Sequence, residues 1–116
     1  MDTVKDDAGR CKALGELLDL AGDKWTVMVV GALAGGPMRF NGIKRHIGGV
    51  TQRMLTRTLR RMEAHGLVTR TVFPTVPPSV EYELTQHGRT LVEPLRGLTE
   101  WAHMHRKVLD RRRRRV

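Results

Sequence analysis

Residues 51–66 read TQRMLTRTLRRMEAHG, which is the most informative segment of the sequence. Thr51 is a good N-cap, because its side-chain oxygen can accept a hydrogen bond from a backbone N–H that the first turn of a helix leaves free. Gly66 is suited to end a helix, because glycine tolerates the left-handed conformation common at that point. The sequence therefore predicts a helix over residues 51–65.

The two faces of this helix have opposite chemistry. At about 100° per residue, Leu55, Leu59 and Met62 fall on one face. The opposite face carries three arginines, which are Arg53, Arg57 and Arg60. We expect the apolar face to enter the core and the basic face to meet solvent or a partner.

Two helices are predicted immediately before this one. Apolar residues recur at three- and four-residue spacing between Phe40 and Ile47, and Gly48 with Gly49 ends that segment. Asp23 can cap an earlier helix over residues 24–33, which is too apolar all round for a surface element. We expect this earlier helix to be central to the core.

A hairpin and a long helix are predicted after it. Residues 67–73 and 79–84 are β-branched and alternating, which is typical of two paired strands. Residues 74–78 hold three prolines, so they are expected to project as a stiff loop. Thr85 is a good cap for the last, long helix. One stripe of that helix is apolar and consists of Leu91, Leu95, Leu98, Trp101 and Ala102.

The order of elements is four helices, a hairpin and a final helix, beginning with a short leucine-rich helix over residues 13–21. The predicted fold class is mainly α (α+β): a winged helix-turn-helix with a two-stranded wing and a long C-terminal helix. A chain of 116 residues is about one domain. We expect that domain over residues 11–109, between a flexible N-terminus, residues 1–10, and a disordered arginine-rich tail, residues 110–116.

The formal net charge is +9, and without the five arginines at positions 111–115 it is still +4. A basic excess favours a polyanionic partner, but charge alone fits duplex DNA, RNA or a membrane surface. The three arginines of residues 53–60 can also be interpreted as a solvated helix face. Their shared face without intervening acids, beside a wing, favours DNA.

A helix of this length fits the major groove of B-DNA, with its N-terminal end nearest the bases. Gln52, Arg53 and Thr56 are candidates for base edges, while Arg57 and Arg60 could reach phosphates or guanine. The preceding helix is a candidate for phosphate contacts, and Arg70 with the loop for the minor groove. The full set of candidate DNA-binding residues is Thr51, Gln52, Arg53, Thr56, Arg57, Arg60, Arg39, Asn41, Lys44, Arg70, Pro77 and Ser79.

Other classes of function have less support in the sequence. There is no glycine-rich phosphate loop, nucleophile elbow or acid pair at a usable spacing, so we do not expect an enzyme. Aromatic residues are only 4% of the chain, which leaves no visible stacking platform for RNA. The main alternative is a non-specific architectural nucleic-acid-binding protein that uses the same arginines for phosphate charge alone.

No cofactor or metal is expected, because one cysteine and scattered histidines do not have the spacing of a zinc site. The chain begins with acidic residues and no apolar segment, and no apolar run approaches the ~18–20 residues that cross a bilayer. We therefore expect a cytoplasmic protein.

Several motifs together resemble the HxlR-type winged helix-turn-helix transcription regulators, over most of the chain from Cys11 to about Trp101. The opening of the second helix and the next turn are similar to that family, and so are the start of the predicted recognition helix, the wing and the step into the last helix. The residues concerned are Gly22-Asp23-Lys24-Trp25, Gly36-Pro37-Met38-Arg39-Phe40, Thr51-Gln52-Arg53-Met54-Leu55-Thr56, residues 74–78, Val80-Glu81-Tyr82-Glu83-Leu84-Thr85 and Gly88.

This resemblance implies a homodimer that binds a pseudo-palindromic operator in double-stranded DNA and regulates transcription, most commonly as a repressor. The first and last helices would form the dimer, although the same apolar stripe could instead be buried within one monomer. We expect Leu91 and Leu95 nearer the core and Trp101 nearer the partner. The predicted dimer interface is Leu14, Leu17, Leu18, Leu95, Leu98 and Trp101.

Cys11 matches a cysteine that senses oxidants or electrophiles in some members of this family. Arg10 and Lys12 flank it with positive charge, which favours the thiolate. The family often has proline after this cysteine, where Lys12 stands here. Cys11 is thus either a sensor or an incidental thiol, and a small-molecule effector is a further candidate partner.

Overall fold

The computed structural model describes residues 8–13, 15–16, 19 and 23–114. Residues 8–13, 15–16 and 19 are helical, and Leu14, Leu17 and Leu18 of the predicted interface lie outside the described residues. From residue 23 to residue 114 the elements are α1 (Lys24–Leu33), β1 (Met38–Arg39), α2 (Phe40–Ile47), α3 (Gln52–Ala64), β2 (Val68–Phe73), β3 (Ser79–Leu84), α4 (Gln86–Arg89) and α5 (Val92–Arg114).

Helix α1 lies at the centre of the core, as its composition predicts. The Asp23 side chain accepts a hydrogen bond from the Trp25 backbone N–H at 3.0 Å and so caps the helix. Val29, Val30 and Leu33 are buried in the hydrophobic core. Burial of each such side chain contributes roughly 1.5–3 kcal/mol, which makes α1 the element on which the others pack.

Helix α3 has the two faces that the sequence predicts. The Thr51 hydroxyl accepts a hydrogen bond from the Met54 N–H at 3.1 Å at its start, and Gly66 follows its end with φ of 72°. Leu55, Leu59 and Met62 are completely buried, whereas the three arginines of the opposite face are exposed. The apolar face therefore fixes the rotation of the helix about its axis.

The sheet has three antiparallel strands in the order β1-β3-β2, one more than the predicted hairpin. β2 and β3 pair along their full lengths, from Val68 opposite Leu84 to Phe73 opposite Ser79. The additional strand β1 pairs with the other edge of β3, where Met38 lies opposite Tyr82. β1 has only two residues, which is too short for any alternation to be visible in the sequence.

The prediction that Thr85 caps the long helix is wrong. Thr85 caps the four-residue helix α4 by accepting the Gly88 N–H at 2.9 Å, and α5 begins separately at Val92. Pro94 explains the break, because proline has no N–H to donate and its ring would clash with the carbonyl of Thr90 in a continuous helix. Within the first turn of α5 the same proline is well tolerated.

The end of the chain also differs from the expectation. Helix α5 continues through Arg114, so the predicted disorder after Asp110 is wrong for residues 111–114. Arginine has a high intrinsic helix propensity. Positive charge is also favourable at a helix C-terminus, where it meets the negative end of the helix dipole.

Gly88 marks a close approach between α4 and the turn that follows α3. A Cβ atom at position 88 would overlap the backbone oxygen of Leu67. The same junction is held by Thr85, whose hydroxyl donates to the Gly66 oxygen at 2.6 Å and whose backbone N–H donates to the Leu67 oxygen at 3.0 Å. The absence of a side chain at Gly88 therefore allows α4 to pack against the turn that follows α3.

We expect Gly88→Ala to lower the free energy of unfolding by ~1–3 kcal/mol, because the added methyl group cannot be placed without moving the Leu67 backbone. Gly97→Ala is the matched control, since position 97 lies within α5 with nothing within 4 Å of the added Cβ. That control should raise the free energy of unfolding by up to about 1 kcal/mol. Urea unfolding of both variants measures these changes in the free energy of unfolding. Equal changes in the two variants would show that Gly88 is not specifically required.

Candidate nucleic-acid interface

The exposed side of α3 forms a continuous basic surface, which we call the basic face. Five side chains line a shallow depression of about 720 Å³ there, and these are Gln52, Arg53, Thr56, Arg57 and Arg60. Three of them carry a guanidinium group and none carries a carboxylate. The predicted arrangement of polar and arginine side chains on one side of the helix is therefore present.

The guanidinium groups of the basic face have no acidic partner within residues 23–114. The ion pairs in that part of the chain use Arg61, Arg89 and Arg96 instead. An unpaired guanidinium on a helix surface keeps all of its donors available, and its planar fork matches guanine or phosphate oxygens. The basic face is thus available to bind an external anion.

The two threonines of this helix already have hydrogen-bond partners. The Thr51 hydroxyl caps α3, and Thr51 does not line the depression. The Thr56 hydroxyl donates to the backbone oxygen of Gln52 at 2.8 Å, one turn earlier. The amide of Gln52 and the guanidinium groups are therefore the hydrogen-bond donors that this surface presents outward.

A second groove, which we call the wing groove, lies between α2 and the loop that joins β2 and β3. Its volume is about 690 Å³. Four of the predicted residues line it, and these are Arg39, Asn41, Pro77 and Ser79. Arg45, which is not among the predicted residues, also lines it, whereas the predicted Lys44 is half-buried and does not. Both occur on the same short helix, and only the packing of α2 decides which one faces the groove.

Local contacts hold the loop of the wing groove. The Thr75 hydroxyl donates to the Pro77 oxygen at 2.8 Å, and the Thr75 backbone N–H donates to the Phe73 oxygen at 2.8 Å. The Arg39 guanidinium lies over the Phe73 ring, 6.0 Å from its centroid, which is within the range of a cation–π interaction. Arg39 therefore connects β1 to the base of the wing while it lines the groove.

Arg70 approaches the basic face from the sheet. It lines a depression of about 230 Å³ together with Thr56, Arg60, Glu63 and Tyr82. Thr56 and Arg60 belong to this depression and to the larger one on α3. The predicted contribution of Arg70 is thus placed beside the C-terminal half of α3.

Arg61 has protein partners, unlike the arginines of the basic face. The sequence did not indicate this difference. Its guanidinium lies 3.5 Å from the Asp23 carboxylate and donates to the backbone oxygen of Asp19 at 3.3 Å. Since Asp23 also caps α1, one carboxylate joins the start of α1 to α3. Its partners are 38 and 42 residues away in the sequence. Helical periodicity places Arg61 off the basic face but cannot identify such distant partners.

The last helix has a buried end and an exposed end. Leu95 of α5 and Leu91 just before it pack against the core, while Leu98 and Trp101 are 57% and 63% exposed. The Trp101 ring stacks on His105 with centroids 4.8 Å apart. The exposed apolar stripe, which we call the α5 stripe, consists of Leu98, Trp101, Met104, Val108 and Leu109.

Cys11 is exposed within the helical residues 8–13. In the described part of the chain no three His, Cys, Asp or Glu side chains are grouped so that they could hold a metal ion. No helix formed by the described residues is both long enough and apolar enough to span a bilayer.

Helices α2 and α3, joined by a glycine turn and followed by the β2–β3 wing, define a winged helix-turn-helix protein. The chain belongs to the HxlR-like helix-turn-helix family, which matches residues 20–110. An uncharacterized HTH-type transcriptional regulator of Methanothermobacter thermautotrophicus is 43% identical over 104 residues, 90% of this chain and 79% of that protein.

Solved structures of two regulators are similar to most of this chain. The redox regulator HypR in its reduced form is 42% identical and has a TM-score of 0.77, over 84% of this chain and 97% of that one. The reduced transcriptional regulator YodB of Bacillus subtilis is 31% identical with a TM-score of 0.69, over 78% of this chain and 88% of that one. This chain is thus a member of a family of helix-turn-helix transcriptional regulators.

Proposed function

We propose that this protein binds one class of duplex DNA site through α3 and represses transcription there as a homodimer. The observation that carries the proposal is the basic face of α3, whose guanidinium groups have no acidic partner within residues 23–114 and lie opposite a completely buried apolar face. The similarity to HTH-type transcriptional regulators supports the same function.

The dimensions of α3 suit the major groove. Its 13 residues span about 20 Å, and the groove is about 12 Å wide. Arg53 and Arg57 can each donate two hydrogen bonds to the O6 and N7 atoms of guanine, and the Gln52 amide can pair with adenine. These contacts would supply the sequence preference.

The wing groove supplies contacts that do not depend on sequence. Arg39, Asn41 and Arg45 can bind phosphates of the strand that passes α2, while Pro77 and Ser79 carry the loop toward the adjacent minor groove. Arg70 and Arg60 can bind a further phosphate beside the sheet. Such contacts set the register of α3 on the duplex and make binding dependent on salt.

A second copy of the chain is the proposed partner of the α5 stripe. Large apolar side chains exposed together on one helix are unusual for a monomer of this size. Leu98 and Trp101, with Leu95 at the edge of the core, would be covered by the partner, together with the predicted contribution of Leu14, Leu17 and Leu18. A two-fold dimer places its recognition helices about 34–36 Å apart, so the operator should be pseudo-palindromic.

An oxidant or electrophile is the proposed signal, with Cys11 as its target. The exposed position of the thiol supports this, and so does the similarity to HypR, which is described as a redox regulator in oxidised and reduced forms. Modification at residue 11 would act on the N-terminal helical residues, and Asp19 of that segment contacts Arg61 of α3.

Random-sequence duplexes selected with the full chain should yield a site that binds at least about a thousandfold tighter than a scrambled duplex near 150 mM salt. Arg53→Ala should weaken the selected duplex by about 10- to 100-fold, because it removes a bidentate base contact, and should hardly change the scrambled one. Fluorescence anisotropy measures both. Arg106→Ala, an exposed arginine on α5, controls for the loss of one charge. If selection enriches no sequence, the protein is a non-specific nucleic-acid-binding protein.

Light scattering should give the wild-type protein twice its 13.2 kDa chain mass. The double variant Leu98→Glu, Trp101→Glu should have the mass of a monomer. Its far-UV circular dichroism spectrum should be unchanged, because both side chains are exposed in the single chain. Val76→Glu is the control, because Val76 is fully exposed outside the α5 stripe. A double variant that remains dimeric would show that the interface lies elsewhere.

Treatment with hydrogen peroxide or N-ethylmaleimide should reduce the preference of the wild-type protein for its selected duplex. Cys11→Ser should bind that duplex normally and should not respond to either reagent, because the chain contains no other cysteine. The measurement is the same anisotropy titration before and after treatment. Equal responses of the two proteins would mean that the thiol of Cys11 is incidental.

A further inference from the structure

We propose that Thr56 reads the 5-methyl group of a thymine, so that each half-site contains one thymine whose methyl group contacts this side chain. The inference rests on the proposed function, because it assigns a base to one residue of the basic face. It concerns a single apolar contact in a surface that otherwise presents guanidinium and amide groups.

The hydrogen bond of Thr56 is the first step. A hydroxyl group has one proton, and the Thr56 hydroxyl donates it to the backbone oxygen of Gln52 at 2.8 Å. This bond lies within α3 and exists without any ligand. Thr56 therefore enters a complex with its donor already used, which leaves its methyl group and the remaining lone pairs of its oxygen for a base.

The position of Thr56 is the second step. Thr56 and Arg60 are the two residues that line both the depression on α3 and the smaller one that reaches Arg70. Thr56 is half-buried there, between guanidinium groups that can bind guanine or phosphate. A base edge held by those groups would lie against the short side chain of Thr56.

The chemistry of the bases is the third step. Among the base edges in the major groove, thymine is distinguished by an apolar group, the 5-methyl, and threonine methyl groups are among its usual contacts. The oxygen lone pairs of Thr56 offer the competing contact, which is a hydrogen bond from an amino group of adenine or cytosine. The engaged hydroxyl lies against the backbone of its own helix, which favours the methyl contact.

Two variants separate the methyl group from the hydroxyl group. Thr56→Val keeps the branched shape and a methyl group but has no hydroxyl, whereas Thr56→Ser keeps the hydroxyl and lacks the methyl. The duplex is the site selected from random sequences by the full-length wild-type protein, and each thymine in turn is replaced by deoxyuridine. Thermal unfolding of the three proteins verifies that each is folded.

At one thymine of each half-site, deoxyuridine should weaken wild-type binding about fourfold, which corresponds to one methyl group left in water. Thr56→Ser should lose about the same factor on the unmodified duplex and should not respond to deoxyuridine at that position. Thr56→Val should retain both the wild-type affinity and the response to deoxyuridine.

The inference is overturned if no deoxyuridine substitution changes wild-type affinity, or if Thr56→Val loses affinity while Thr56→Ser does not. The latter result would assign an amino group of adenine or cytosine to the Thr56 oxygen. In either case the proposed function stands as long as the selected duplex is preferred and Arg53→Ala weakens it. Failure of the selection to enrich any sequence would instead overturn the proposed function itself.

Discussion

One face of α3 is completely buried, and this burial determines where the opposite, basic face points. Leu55, Leu59 and Met62 have no exposed surface, so α3 cannot rotate about its axis without bringing apolar side chains into water. Because side chains along a helix have fixed angular positions, the direction of the basic face follows from that burial. The basic face is thus oriented by side chains that are themselves buried in the core.

Short polar side chains decide where the helices begin, and some also connect elements. Asp23 caps α1 with one carboxylate oxygen and faces Arg61 of α3 with the other. Thr85 caps α4 and donates to the Gly66 oxygen at the end of α3. Each of these caps therefore also links its own helix to α3 or to the glycine that follows α3.

Local signals in the sequence were sufficient for α1, α2, α3 and the hairpin, because caps, helical periodicity and strand alternation all act over a few residues. Strand β1 depends instead on pairing with Tyr82, 44 positions away. Arg61 is chemically identical to the arginines of the basic face, and only its contacts with Asp23 and Asp19 distinguish it. Lys44 and Arg45 were equally suitable for the wing groove by chemistry, and only the packing of α2 distinguished them.

The stacking of Trp101 on His105 has a spectroscopic consequence. The chain contains two tryptophans: Trp25 is half-buried beside Lys24, and Trp101 is largely exposed on α5. In the single chain the long-wavelength part of the intrinsic emission therefore comes from Trp101, whose ring is stacked on an imidazole that can quench it. A molecule that covers the α5 stripe changes the polarity around that indole, so the protein carries its own optical reporter of assembly and needs no attached dye.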